Sequence, residues 1–111
     1  MIDHSDMRYH LIIYVPLSHA QSVRDALASA GAGKIGNYDS SSFSSRGIGR
    51  FRPLKGANPH IGSVGKIEEV EEERIEVVVP EGVDVTKIVA AVRKVHPYEE
   101  PAIHILPMAD A

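Results

Sequence analysis

Apolar residues recur along this chain in two rhythms, one of period two and one of period 3.6. Between Met7 and Val15, Tyr9, Leu11, Ile13 and Val15 fall on one face and Ile12 and Tyr14 on the other, which predicts a central strand covered on both sides. Pro16 ends it. Ser18 and Gln21 stand at capping-box spacing, and Val23, Leu27 and Ala30 follow at helical spacing until Gly31 supplies the stop. Val64 to Pro80 is strand-like again but changes phase, since Ile67, Ile75, Val77 and Val79 share one parity and Val70 has the other. A one-residue slip turns every side chain to the opposite face, so a bulge or strand break is predicted between Glu71 and Arg74. Asp84 is placed to cap a second helix whose apolar stripe is Val85, Ile88, Val89, Val92 and Val95; His96-Pro97 terminates it. Ala102 to Pro107 reads as a last short strand with Ile103 and Ile105 on one face.

Between the first helix and the phase-changing strand lies the unusual part of the chain. Residues Gly33 to Gly65 hold seven of the nine glycines. Two β-prone runs, Ile35 to Ser44 and Ile48 to Leu54, flank Ser45-Arg46-Gly47, which predicts a hairpin with its turn there. The element order is then that of a ferredoxin-like α+β sandwich, βαββαβ, with an added β-hairpin.

Composition narrows the class. A chain of 111 residues with 43% hydrophobic and 24% charged residues forms one globular domain, 1–111, with residues 1–6 as a loose tail. A formal charge of -3 gives no general attraction to nucleic acid or membrane, and the absence of cysteine removes disulfides and thiolate metal sites. No signal peptide and no apolar run of about 20 residues is present, so a cytoplasmic protein is expected.

The glycine-rich stretch is lopsided in charge, with Lys34, Arg46, Arg50, Arg52 and Lys55 against the single acid Asp39. Glycine lets a backbone N–H approach an oxyanion, a seryl hydroxyl donates to it and an arginine forks onto it, so a small anionic ligand is one reading. Its candidate residues are Asn37, Tyr38, Ser42, Arg46, Arg50 and Arg52, with Phe51 packing inward behind the arginines. The other reading is a hairpin whose glycines mark bulges and turns, because neither the dinucleotide fingerprint nor the nucleotide P-loop spacing is present. The acids Glu68, Glu69, Glu71, Glu72 and Glu73 form a solvated face or a guarded edge, or else meet the basic hairpin of a neighbouring subunit. His96-Pro97-Tyr98-Glu99-Glu100-Pro101 brings an imidazole and two carboxylates together. It reads either as a rigid corner or as a divalent-metal site made of His96, Glu99 and Glu100 with His60. No Gly-x-Ser-x-Gly elbow surrounds any serine, so a hydrolase is a poor fit.

The ordered set Gly-x-Ile-Gly-Asn-Tyr (33 to 38), Ser42-Phe43, Gly47-x-Gly49-x-Phe51-x-Pro53, Gly56-Ala57-x-Pro59-x-Ile61-Gly62, the acidic run Glu68 to Glu76 and the His-Pro-Tyr-Glu-Glu-Pro turn resembles one family from Tyr9 to Pro107. It is the PII-like insert domain of the dinuclear-metal hexameric proteins named after the factor that interacts with the yeast coactivator NGG-one. Here it is read as a stand-alone chain, with Ser41 where members often carry cysteine. The resemblance extends to PII signalling proteins and to CutA divalent-ion-tolerance proteins. It implies a homotrimer built by continuing sheets across subunits, and a non-enzymatic module that binds a small anionic molecule or a protein partner. A CutA-like divalent-metal binder is the alternative. The ligands of the family's paired metals lie in a flanking domain and do not transfer to this chain.

Overall fold

The first strand, β1 (Tyr9–Pro16), keeps the alternation read from the sequence, and Tyr9, Leu11, Ile13 and Val15 are all buried in the main core. A computed structural model describes residues 6–109, so the expected tail falls almost wholly outside the described residues. After β1 come α1 (Ala20–Ser29), β2 (Phe43–Phe51), β3 (Glu68–Val79), α2 (Val85–Val95) and β4 (Ile103–Pro107). The four strands form one antiparallel sheet in the order β2-β3-β1-β4, which is the ferredoxin-like α+β arrangement. Both helices contribute to a single core on one sheet face, where Val23 and Leu27 of α1 and Val85, Ile88 and Val92 of α2 join Ile75, Val77 and Val79 of β3. The other face carries no helix. On it Ile12 is nonetheless buried among its strand neighbours, so β1 is central but has helices on one side only.

The helix ends differ in how they are made. Asp84 caps α2 as expected, its Oδ1 accepting from the Thr86 N–H at 2.9 Å. The capping box at Ser18 does not form. A 3-10 turn, Leu17–His19, leads into α1, Ser18 Oγ bonds instead to His19 Nδ1 at 2.8 Å, and Gln21 turns along the helix to Asp25. Gly31 stops α1 with φ +98, a conformation that favours glycine.

Two expectations about the strands are corrected. No turn occurs at Ser45-Arg46-Gly47, because β2 runs unbroken from Phe43 to Phe51 in constant register with β3. The tight turn lies earlier, at Gly36-Asn37, where Ile35 and Tyr38 exchange backbone hydrogen bonds of 2.8 and 3.0 Å. Nor does β3 carry a bulge, since its register to both β1 and β2 is continuous through Glu71 to Arg74. The phase change in burial has another cause. Glu73, Ile75, Val77 and Val79 are buried on the helix face, whereas Glu72 is buried on the open face, against Gly49 of β2 and beside Tyr98.

A pocket on the open face of the sheet

The pairing of β1 with β3 ends at Pro16 and Glu72, so β2 and the first residues of β3 continue past β1 as a two-stranded ribbon. Residues 52–67 then fold back, with Pro53 buried and its carbonyl accepting from the Gly65 N–H at 2.8 Å. The Glu99 carboxylate fastens this loop to the turn after α2 by accepting from the Asn58 N–H at 3.3 to 3.4 Å. Together the ribbon, the loop and the turn enclose a pocket of about 460 Å3. Its walls include the rings of Tyr14, Phe51, Tyr98 and His104 and the apolar side chains of Pro53, Leu54, Pro59 and Ile61. Phe51 and Tyr98 meet edge to face at 5.6 Å, as do Tyr14 and His104.

Two ionisable groups lie deep in this region. Glu72 is only 8% exposed, and its carboxylate lies so close over Gly49 that a Cβ there would collide with it. Any larger residue at 49 would push the Glu72 carboxylate aside, whereas φ sets no demand for glycine there. The Tyr98 hydroxyl is buried and has no hydrogen-bond partner of ordinary geometry. Burial first, and then the neighbouring Glu72 carboxylate, push that hydroxyl far above its usual pKa.

His96 forms the rigid corner beside them. It is 6% exposed, with Nε2 at 2.7 Å from the Tyr14 carbonyl and Nδ1 at 3.1 Å from the Tyr98 N–H. A carbonyl only accepts and an amide N–H only donates, so the ring is the neutral tautomer protonated at Nε2. Burial lowers its pKa, against the opposing pull of the Tyr14 carbonyl and Glu72. Both nitrogens are therefore occupied, and the one available lone pair, on Nδ1, is taken up by the Tyr98 N–H.

The residues singled out from the sequence are distributed over several places. His60, Glu99, Glu100, Arg50 and Arg52 line the pocket, whereas His96 stands behind Tyr98 as its support. Asn37 and Tyr38 form the exposed tight turn before β2, and Ser42 lines a separate groove beside Arg24 and Asp25 of α1. Arg46 and Arg50 do not converge on one point: they lie opposite Glu73 and Glu69 across the β2–β3 ladder, and Arg50 Nε bonds to Glu69 at 3.2 Å. Glu73 is also paired with Arg24 of α1. Burial raises its pKa, but Ser44 and Arg24, with Arg46 beyond, pull it down by more. Glu69 and Glu73 thus meet their opposing bases within one chain. Among the described residues no group of three His, Asp or Glu side chains is placed to hold a metal ion. Phe51 does pack opposite Arg50 and Arg52, but it is half-buried against Tyr98 and lies outside the main core. Sequence reasoning missed Glu72 and Tyr98 as site residues. The signal for Glu72 was the phase change itself, which buried a second parity of side chains.

The fold and motifs have counterparts among known proteins. A Halalkalibacterium halodurans protein named GTP cyclohydrolase 1 type 2 homolog is 51% identical over 102 residues, which is 92% of this chain and 27% of that protein. The solved Bacillus cereus protein related to NIF3 superposes with a TM-score of 0.80 at 40% identity, covering 95% of this chain and 26% of its own. This chain is similar to one part of these NIF3-related proteins, and its fold is PII-like. It spans about a quarter of the length of the curated relatives it matches. Likeness of fold alone links this chain to the Archaeoglobus fulgidus CutA divalent cation tolerance protein (TM-score 0.68, 19% identity, 95% of this chain and 87% of that one). It extends also to the Bacillus subtilis GlnK–ATP complex (TM-score 0.65, 15% identity, 96% and 85%). No protein-family profile matches the chain. Among the described residues no helix is long and apolar enough to cross a membrane.

Proposed function

We propose that this NIF3-related domain is a non-enzymatic, oligomeric PII-like module that takes a small ligand into the open-face pocket and reports its presence to a partner. The observation that carries this reading is the pocket itself: three separate segments enclose a ring-lined cavity of about 460 Å3 with a buried carboxylate inside. Arg52 supports an anionic group on that ligand, because it lines the pocket and, unlike Arg50, is not tied into an ion pair among the described residues. An anion contact at Arg52 would be worth roughly 1.5 to 3 kcal/mol of binding. The test is a thermal-shift screen of phosphorylated and carboxylated metabolites on the wild type and Arg52→Ala. Hits whose shift shrinks in the variant support the reading; a screen without a single hit speaks against a ligand-binding role.

The oligomer is proposed to be a trimer in a cytoplasmic setting. Strand β2 is an outer strand whose residues are mostly exposed, with Phe43 66% and Ile48 54% accessible, so it offers both an edge and apolar surface to another copy. Sedimentation at micromolar concentration checks this, and a clean monomer would remove it. The divalent-metal alternative at His96, Glu99, Glu100 and His60 has less support, since His96 has both nitrogens in hydrogen bonds. Zinc titration followed by NMR decides it: movement of the His96 ring signals on metal addition would restore that reading.

A further inference from the structure

Resting on that pocket reading, we propose that Glu72 and Tyr98 form a recognition pair at the base of the pocket for a planar ligand that presents N–H donors, of amidine, guanidine or protonated-amine type, to the Glu72 carboxylate. Four observations carry this.

Glu72 is a nine-tenths buried carboxylate on the helix-free face of the β2–β3 ladder, the opposite face from Glu73 and Glu69, which meet Arg24, Arg46 and Arg50. Among the described residues it forms no ion pair, so its burial is not compensated by a cation of its own chain. The buried Tyr98 hydroxyl lies beside it and faces the carboxylate with its proton, with no hydrogen-bond partner of ordinary geometry, which leaves the hydroxyl oxygen able to accept from a donor that also reaches Glu72. The missing side chain at Gly49 gives the Glu72 carboxylate room to lie against the strand, and the rings of Phe51, Tyr98, Tyr14 and His104 give a flat guest aromatic walls on which to lie. A carboxylate only accepts hydrogen bonds when ionised, so the complementary head group is a donor, and a cationic donor best offsets the buried charge. An anionic group on the same ligand would then reach toward Arg52, away from Glu72.

Three probes that share one ring separate the head-group chemistries: benzamidine, benzyl alcohol and benzoate, each titrated into the full chain with backbone amide signals followed by NMR. Benzamidine is expected to shift the amides of Gly49, Phe51 and Tyr98 in a saturable way, with benzyl alcohol weaker and benzoate silent there. Glu72→Gln, checked for retained signal dispersion, should weaken benzamidine by about tenfold or more, the range for a charge-assisted hydrogen bond. Tyr98→Phe should weaken it by about threefold to tenfold through the loss of one neutral hydrogen bond. Gly49→Ala, which leaves both polar groups in the chain but displaces the carboxylate, should also weaken it. Benzoate binding at these amides with benzamidine silent would overturn the pairing while leaving the pocket as a ligand site. Unchanged benzamidine affinity in Glu72→Gln would also overturn it. If Glu72→Gln instead dissociates the oligomer in sedimentation, the carboxylate belongs to an interface between copies and the proposal falls.

Discussion

Replacing His96 is the sharpest test of how the corner after α2 is built. In the folded chain the ring donates from Nε2 to the Tyr14 carbonyl at 2.7 Å and accepts at Nδ1 from the Tyr98 N–H at 3.1 Å, joining β1 to the pocket turn. His96→Ala leaves both backbone groups without their partner, at about 1 to 3 kcal/mol for each group that stays buried, and it also removes the packed ring. A loss of about 3 to 5 kcal/mol is expected at pH 7.5, a large share of the roughly 5 to 15 kcal/mol that holds a domain together. The pH dependence has a definite sign. Burial lowers the folded-state pKa below the unfolded value of 6.5, so between the two the unfolded chain binds more protons. Stability from this group is complete above pH 6.5, declines as pH falls through that value, and levels off below the folded pKa. One proton tilts stability by at most about 1.4 kcal/mol per pH unit. Urea unfolding at pH 7.5 and 5.5, for the wild type and for His96→Gln, isolates the contribution, because the two proteins share every other residue. The wild type should lose more stability than His96→Gln between the two pH values. Equal losses, or a cost below about 1 kcal/mol for His96→Ala, would refute the buried, doubly hydrogen-bonded imidazole.

Other perturbations probe the rest of the framework. Ile88→Ala, at a fully buried position facing the sheet, should cost about 2 to 5 kcal/mol in chemical denaturation with little change in the m-value. Arg24→Ala leaves the buried Glu73 carboxylate without its α1 partner and should destabilise by about 1 to 3 kcal/mol. Because the Glu73 carboxyl is held below its usual 4.5, its contribution is present above that pH and is lost as pH falls through the folded value; acid unfolding of Arg24→Ala should show a shallower loss there. Phe51→Ala should cost about 1 to 3 kcal/mol, less than a fully buried ring, since Phe51 is half-buried and its main aromatic contact is Tyr98. A cost near 5 kcal/mol in thermal unfolding would place that ring in the main core instead.

Period-two alternation in Tyr9 to Val15, the 3.6-residue stripe from Val85 to Val95 and the Asp84 cap were legible because each is a local pattern with one low-energy solution. The ferredoxin-like order followed from their succession, and the resemblance to the PII-like insert domain followed from the ordered glycine and proline motifs. The hairpin at Ser45-Gly47 was misplaced. Glycine permits a turn but does not compel one, and the cross-strand placement of Arg46 opposite Glu73 and Arg50 opposite Glu69 favours an unbroken β2. The phase change in β3 suggests a bulge or strand break that the straight strand does not have, because local sequence cannot say what will pack on its open side. For the same reason the arginines and acids looked like separate surfaces until the ladder paired them. By itself, then, the sequence determined the elements, their order and the chemistry available in the glycine-rich stretch. Tertiary structure alone decided that His96 is a neutral strut, that Glu72 and Tyr98 meet under Gly49, and that the pocket lies on the helix-free face. Those outcomes depend on contacts between residues far apart in the chain, such as Tyr14 with His96 and Asn58 with Glu99, whose approach is set by packing and not by any local period.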